Sequence, residues 1–313
     1  MQEYNTLFKE FIQYKRFLGY KYKTDEIVLN EIKQYLIKNN ISMITKEVTS
    51  NYATVNTNLS SNTIARNMGV FREFCYYLKT QKNINCYQIP TKIYPQNHNS
   101  YIPYLFTHEE IKLIFSNLNN ALNNYHYNYY KKTIYPLIIK ILYQTGMRIG
   151  EILNLRIKDY NNNLSVFKLV DTKNNEERYV AIPEKLNKEI YDYCTKFFYN
   201  KSNEEIIFKV SKSSVLKYFK KVLNISNITI TDSGPRLHDL RHAFVIHNIN
   251  KGIKENKDIN MIIPILQAQL GHKSLEALSY YFHINKDVLY SVNNVSEEKL
   301  SYLIPKDGVN NEQ

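Results

Sequence analysis

The residues with the clearest chemical potential lie in the last third of the chain, where cationic side chains precede tyrosines. The segment His238-Asp-Leu-Arg241 is followed by Leu270-Gly-His272 and then by Tyr280-Tyr281. Another arginine, Arg148, lies far upstream within Thr145-Gly-Met-Arg148-Ile-Gly-Glu151. Guanidinium and imidazole groups bind a phosphodiester, and a phenolic oxygen can attack one. These residue types together predict an enzyme that cuts and rejoins DNA, provided that the fold brings them together.

Each of these residues also has an ordinary alternative when it is considered alone. His238 and Arg241 are three positions apart, so both reach one ligand from the same face of a helix, but such pairs are common by chance. The alternative for Arg148 is a surface arginine paired with Glu151. Nearby histidines without ligand spacing are interpreted as packed or exposed residues; these are His242, His247 and His283. The prediction therefore depends on the ordered combination.

The net charge favours a polyanionic partner. The 313 residues contain 41 Lys+Arg against 29 Asp+Glu, which gives a net charge of +12. Residues 1–97 alone contain thirteen basic and seven acidic side chains, so both halves of the chain are basic. Because the surplus is spread over the chain, we expect a folded surface that binds double-stranded DNA. Charge that serves only solubility is the alternative.

The cysteines and the apolar segments indicate the cellular compartment of the protein. Cys75, Cys86 and Cys194 are scattered and form no CxxC pair, which argues against a disulfide framework and a cysteine-rich zinc site. The start, Met1-Gln-Glu-Tyr, has no basic segment followed by an apolar run, so no signal peptide is predicted. No stretch approaches the roughly 18 apolar residues of a membrane span. We therefore expect a cytoplasmic protein.

The pattern of residues 1–85 predicts a helical domain. Apolar residues recur at helical spacing in four segments, and the fourth is the best defined because Ser60-Ser61 caps an apolar stripe that runs from Ile64 to Leu78. Between residues 86 and 103 prolines and polar residues interrupt the pattern, which predicts a linker.

Residues 104–285 are predicted to form a second domain, mainly α-helical with a small β-sheet. Thr107-His-Glu109-Glu110 is typical of a helix start, and the apolar run 135–144 indicates a buried helix that Gly146 ends. Residues 164–170 and 178–182 read as a hairpin joined by a polar turn at 173–176. Further helices are predicted at 184–199, 211–224, 236–251, 258–270 and 274–283, followed by a C-terminal tail, residues 286–313.

The ordered motifs resemble those of the tyrosine site-specific recombinases, also called the phage integrase family. The similarity rests on the segments around Arg148 and Arg241, on Leu270-Gly-His272, and on Tyr281-Phe-His283-Ile284. Pro103-Tyr-Leu105 resembles the start of that family's catalytic domain, and the helical N-terminal region resembles its core-binding domain. The resemblance implies a C-shaped clamp of two domains around a duplex, of the simple two-domain type.

The resemblance also implies a role for each residue of the set. Arg148 and Arg241 bind the nonbridging oxygens of the scissile phosphate, and His272 donates a hydrogen bond to it. His238 takes the proton of Tyr281, whose ordinary pKa of about 10 makes the phenol a poor nucleophile at neutral pH. Tyr281 becomes joined to the DNA 3′-phosphate. By the same resemblance no cofactor, metal ion or ATP is needed.

The leaving 5′-oxygen needs a proton, which in this family comes from a lysine on a hairpin turn. Lys173 occupies the predicted turn, and Lys168 is the alternative. The nucleophile has an alternative too, because Tyr280 adjoins Tyr281. The spacing from His272 and the following Phe-His favour Tyr281. Glu151 matches an acid of the family and is expected to support the site.

DNA binding and assembly complete these expectations. Basic residues of the N-terminal domain are expected to meet DNA phosphates: Lys15, Arg16, Lys21, Lys23, Arg66 and Arg72. The family implies a homo-tetramer on two paired sites. The tail is expected to dock on a neighbouring subunit, with folding back on its own domain as the alternative. Integration of a mobile element, inversion and dimer resolution remain open.

Two other classes of function remain open as well. One is a DNA-binding protein derived from a recombinase that no longer cuts, although the complete set of six residues argues against it. The other is a topoisomerase-like or hairpin-telomere-forming enzyme, which uses the same chemistry without exchanging partner strands.

Overall fold

The chain divides into two compact units, Met1–Tyr101 and Ile102–Gln313. The computed structural model describes residues 2–55, 59–91, 93–94, 103–123, 129–171, 176–231 and 234–271. The division between the units falls inside the predicted linker, residues 86–103. Within the described ranges, none of the helices has the length and apolar character that crossing a membrane requires.

The N-terminal unit contains the four predicted helices. They are α1 (Gln2–Phe17), α2 (Lys23–Lys38), α3 (Lys46–Val55) and α4 (Ser61–Gln81). Helix α4 begins as predicted because the Ser60 hydroxyl accepts a 3.2 Å hydrogen bond from the backbone N–H of Thr63. The helices bury an aromatic core in which the rings of Phe8 and Phe74 stack with centroids 4.1 Å apart.

The start of the predicted linker differs from the structure. Cys86 and Ile89 are buried in the core of the N-terminal unit, and the backbone N–H of Tyr87 donates a 2.8 Å hydrogen bond to the carbonyl of Ile44. The chain therefore remains part of this unit to at least Ile89. Two isolated apolar residues anchor this segment, and they have no periodicity that a sequence pattern could detect.

The second unit is built around α6. Its helices are α5 (His108–Asn117), α6 (Tyr129–Thr145), α7 (Ile149–Asn154), α8 (Glu184–Phe198), α9 (Lys212–Ile225), α10 (Asp239–Lys254) and α11 (Ile259–Leu270). Ile134, Ile138 and Ile141 of α6 are fully buried in the main core. A separate small apolar cluster joins α10 to α11 and includes Phe244 and Leu270. Helix α7 was not predicted, since six residues are too few to show a helical period.

A small antiparallel sheet completes the second unit. Its strands are β1 (Tyr160–Asn161), β2 (Val166–Asp171) and β3 (Glu176–Ala181), in the order β1-β2-β3. In the β2–β3 pair, Phe167 lies opposite Val180 and Lys168 lies opposite Tyr179. Phe167 and Val180 face the core, whereas on the other face Lys168 is half-buried and Tyr179 is exposed. The predicted hairpin is confirmed, and β1 is an additional strand too short to predict.

Candidate active site

A cleft of about 970 Å³ opens in the second unit beside the start of α7. It is bordered by α7, by β2 and β3, by the start of α9 and by the segment that leads into α10. Among its lining residues are eight that carry basic side chains: Arg148, Arg156, Lys158, Lys168, Arg178, Lys212, Arg236 and His238. Lys212 and Arg236 are among those that were not predicted from the sequence. Such a concentration of cations in one concave surface suits a polyanion.

Arg148 is held at the cleft by the carboxylate of Glu151. The Glu151 carboxylate accepts a 2.9 Å hydrogen bond from Nη1 of Arg148 and a 2.8 Å hydrogen bond from the backbone N–H of Arg148. The same carboxylate forms a 2.8 Å ion pair with Arg178 of β3. Burial raises the pKa of Glu151, but the hydrogen bonds and positive charges of the two arginines outweigh it, so the pKa lies below its ordinary value. Glu151 thus stays ionised and orients Arg148, whose side chain remains 45% exposed.

Arg241 is buried near His238 and connects the turn at Gly146 to the end of α11. Its side chain is almost fully buried, and it donates hydrogen bonds through Nη1 to the carbonyl of Gly146 at 2.7 Å and through Nη2 to that of Leu270 at 2.9 Å. Gly146 lies two residues before Arg148, and Leu270 lies two residues before His272. Arg241 therefore fixes the backbone at Gly146 and Leu270, each two residues before a predicted site residue.

The turn at Gly146 requires glycine for two reasons. Its φ is +67°, a left-handed conformation that other residues adopt at a cost. A Cβ atom at this position would lie 2.6 Å from Cδ1 of Phe244 and 2.8 Å from Cδ2 of Leu270. The close approach of α10 and α11 to this turn is what brings Arg241 within reach of the Gly146 carbonyl.

His238 lies at the N-terminus of α10 and lines the cleft with Arg148. Partial desolvation and the positive charges of Arg241 and Arg148 lower the pKa of His238 to about 4. The imidazole is thus neutral at neutral pH and has a nitrogen lone pair that can accept a proton. The structure thus brings His238 and Arg148 to one cleft, with Arg241 near His238.

The remaining predicted site residues divide into two groups. His272, Tyr280, Tyr281 and Lys173 lie outside the described residues, as does the C-terminal tail. Lys168, the alternative to Lys173, lines the cleft from β2 but forms a 2.9 Å ion pair with Glu177. The hydrogen bond to Glu177 raises the pKa of Lys168, which makes its ammonium a weaker acid.

The basic residues of the N-terminal unit are in different environments. Lys15 is 13% exposed, forms a 3.0 Å ion pair with Glu73, and has its ammonium 4.5 Å from the ring centre of Tyr20. These contacts give Lys15 a packing role within the unit. Lys21 and Lys23 are exposed on either side of the buried Tyr22.

Two arginines of this unit are exposed but already paired. Arg16 forms a 2.7 Å ion pair with Glu26, and Arg66 forms one of 2.7 Å with Asp25. Exposed pairs of this kind contribute little to stability, so phosphate groups can replace the carboxylates. Arg72 is half-buried on α4.

The comparison with known proteins identifies the class. The family model described as "Phage integrase family" matches residues 105–287. The tyrosine recombinase XerC of Staphylococcus epidermidis is 26% identical over 252 residues, which cover 75% of each chain. A tyrosine recombinase of Pseudothermotoga lettingae is 25% identical over 289 residues, which cover 91% of this chain and 89% of the relative.

Solved structures share the fold. The XerH site-specific recombinase bound to its palindromic difH substrate matches with a TM-score of 0.62 at 17% identity, over 90% of this chain and 79% of that one. A lambda integrase dimer bound to a core site matches with a TM-score of 0.61 at 13% identity, over 86% of this chain and 95% of that one. Identities this low establish the fold alone.

The chain belongs to the phage integrase family. It is a tyrosine recombinase, an enzyme of site-specific recombination that cleaves and rejoins DNA. The predicted family, the mainly α-helical fold with a small sheet, and the enzyme class are confirmed.

Proposed function

We propose that this recombinase cleaves DNA by attack of Tyr281 on the scissile phosphorus. The phenolic proton passes to Nδ1 or Nε2 of neutral His238 as the O–P bond forms. The bond from phosphorus to the 5′-oxygen breaks, and the departing oxygen takes a proton from the Lys173 ammonium. Tyr281 is then joined to the 3′-phosphate, and the reverse steps rejoin the strand.

The observation that carries this proposal is that His238 and Arg148 line one cationic cleft, with Arg241 close enough for its charge to lower the pKa of His238. A general base must be unprotonated, which His238 is at neutral pH, and the negative charge of a bound phosphate would offset the cations that disfavour its imidazolium. The cations that disfavour it are those that would stabilise the extra negative charge of a five-coordinate phosphate. Arg148 faces the cleft, and Arg241 adds a second charge near His238. We propose that His272 donates a hydrogen bond to the same phosphate.

The DNA surface extends beyond the cleft in this proposal. Lys21, Lys23 and Arg72 would meet backbone phosphates directly, whereas Arg16 and Arg66 would first give up their carboxylate partners. The proposed assembly is a homo-tetramer on two paired sites, in which the tail of residues 286–313 docks on a neighbouring subunit. A DNA substrate of this kind also favours a cytoplasmic location and a role in a mobile element, in inversion or in dimer resolution.

Nicked suicide duplexes test the proposal, since loss of the short 5′ fragment traps the covalent intermediate. Duplexes tiled across the DNA that flanks the gene would be incubated with the wild-type protein and with Tyr281→Phe, in the presence of EDTA. We expect a protein–DNA adduct with the wild type and none with Tyr281→Phe, at similar DNA affinity. The matched control, Tyr280→Phe, should retain adduct formation.

The same experiment separates the alternatives. Binding without any adduct would indicate a DNA-binding derivative of a recombinase. An adduct without recombinant joints, even when two sites are supplied, would indicate a topoisomerase-like or hairpin-forming enzyme. An adduct that persists in Tyr281→Phe would reject Tyr281 as the nucleophile.

A further inference from the structure

We infer that Gln269 is a positioning residue that holds the β2–β3 hairpin against the end of α11. The inference rests on the proposed function, because the hairpin connection, residues 172–175, carries Lys173 and the end of α11 leads into His272. The proposed effect of Gln269 is on the alignment of these two residues.

The side-chain amide of Gln269 binds one residue of β3 at two points. Its Oε1 accepts a 3.0 Å hydrogen bond from the backbone N–H of Ala181, and its Nε2 donates a 3.0 Å bond to the carbonyl of the same residue. Nε2 also donates to the carbonyl of Thr145 at 3.3 Å. One side chain thus connects the end of α11, the edge of the sheet and the end of α6.

The position of Ala181 explains why such a contact is available. Strand β3 is at the edge of the sheet, with β2 on one side. Among the described residues, no strand pairs with the backbone groups on its other side, and an unpaired edge group needs another partner. A glutamine amide has one acceptor and one donor group and can replace a neighbouring strand at a single residue.

A second contact, made by Arg178 three residues after the hairpin connection, supports the first. Nε of Arg178 donates a 3.3 Å hydrogen bond to the backbone carbonyl of Gln269. The Arg178 side chain also lies so close to Gly271 that a Cβ there would be 2.9 Å from it. Residue 269 therefore contacts β3 through its backbone at Arg178 and through its side chain at Ala181. The second of these contacts is the one that a substitution can remove.

The contacts that hold the hairpin and the end of α11 indicate which of the two should move when the Gln269 amide is lost. The end of α11 is held independently by Arg241, which binds the carbonyl of Leu270. Strand β3 is held at Arg178, which pairs with Glu151 and donates to the Gln269 carbonyl, and its end at Ala181 is held by the Gln269 amide. Loss of the amide should therefore release the hairpin rather than the end of α11. Because the proposed acid Lys173 is on the hairpin, protonation of the leaving 5′-oxygen should be slowed more than the other steps of cleavage.

A substrate that leaves without protonation provides the decisive test. In a 5′-bridging phosphorothiolate duplex the leaving atom is sulfur, and a thiolate departs without an acid because a thiol is a much stronger acid than an alcohol. Gln269→Met keeps the length of the side chain and removes its hydrogen bonds. We expect Gln269→Met to cleave the oxygen substrate about 10- to 100-fold more slowly than the wild type does. The sulfur substrate should be cleaved by this variant at a nearly wild-type rate.

Matched variants exclude a general loss of structure. Gln267→Met makes the same change two residues earlier on α11, where the side chain makes no hydrogen bond to the residues that the structure describes, and it should leave both rates unchanged. Arg148→Lys should slow both substrates, since charge on the phosphate develops with either leaving atom. Hydrogen exchange provides a readout without DNA, because the Ala181 amide should exchange faster in Gln269→Met than in Gln267→Met.

The outcomes are distinguishable. Equal slowing of the oxygen and sulfur substrates by Gln269→Met, or an unchanged Ala181 amide, would overturn the inference. Selective rescue by sulfur together with faster exchange would establish it. Absence of an adduct with wild-type protein on every duplex would refute the proposed function instead, and the exchange of Ala181 would still decide whether Gln269 holds β3.

Discussion

Arg241 donates a 2.7 Å hydrogen bond to the carbonyl oxygen of Gly146, which precedes it by 95 residues. Through this bond the buried guanidinium of Arg241 supports the turn at Gly146, and Arg148 follows that turn directly. The two arginines of the site therefore differ in kind. One is 45% exposed at the cleft, and the other is 1% exposed near His238.

Lysine substitutions should separate these two roles. Arg148→Lys is expected to leave the free energy of unfolding within about 0.5 kcal/mol of the wild type, because the side chain is exposed. Arg241→Lys should lower it by about 2 kcal/mol, since a lysine cannot bind both carbonyls with the geometry of a guanidinium fork. Urea unfolding measures the difference, and suicide-duplex cleavage should fall about 100-fold or more in both variants. Equal stability of the two variants would contradict the structural role of Arg241.

Gly146→Ala should be strongly destabilising. The new Cβ would lie 2.6 Å from Phe244 in a backbone conformation that favours glycine, so a loss of about 2–3 kcal/mol is expected. Thermal unfolding provides the measurement. Gly150→Ala is the matched control, because nothing lies within 4 Å of its Cβ and the residue is inside α7. Alanine favours helix there, so its melting temperature should equal or exceed that of the wild type.

Stability should fall in mild acid because of His247. This residue is 8% exposed, and its Nε2 lies 2.9 Å from the carbonyl of Phe106. Burial and the nearby His108 lower the pKa of His247 to about 4. The folded-state pKa is below the unfolded value of about 6.5, so the unfolded state binds the extra proton as pH falls between them.

The free energy of unfolding should therefore decrease by about 2 kcal/mol between pH 7 and pH 5 from this group. Urea unfolding at pH 7, 6 and 5 provides the measurement. His247→Gln cannot titrate and should show a shallower dependence on pH over the same interval. An identical slope in both proteins would show that His247 is not the group responsible.

Freeing the paired arginines of the N-terminal unit should strengthen DNA binding. Asp25→Asn releases Arg66 and Glu26→Gln releases Arg16, so each should tighten binding of a duplex by about fivefold at low salt. Fluorescence anisotropy at two salt concentrations measures this. Glu47→Gln removes the same charge from α3 without releasing an arginine among the described residues, and its effect should be smaller. A gain as large in Glu47→Gln would mean that net charge alone is responsible.

The sequence predicted the parts of the fold that depend on local chemistry. Ser60 and Thr107 cap α4 and α5 as expected, because a hydroxyl three residues before a free backbone N–H identifies a helix start. The hairpin and the buried helix ending at Gly146 were likewise evident. The set of Arg148, His238 and Arg241 was found from motif order.

Long-range polar contacts were beyond the reach of the sequence. Gln269 lies 88 residues from Ala181, and its pairing with a sheet edge has no local signal. Lys212 and Arg236 line the cleft only because α9 and the start of α10 converge there. The Ser211 cap marks Lys212 as the first residue of α9, but a cap does not indicate where that helix start lies in the fold.

The small apolar cluster between α10 and α11 has a consequence for the order in which subunits can react. Because the buried residues of α11 pack in this cluster and not in the main core, we expect α11 to open at a lower free energy than the rest of the domain. The segment that follows it carries the proposed nucleophile. In the proposed tetramer, such local opening would allow the nucleophile of one subunit to be withdrawn while that of its neighbour stays in place.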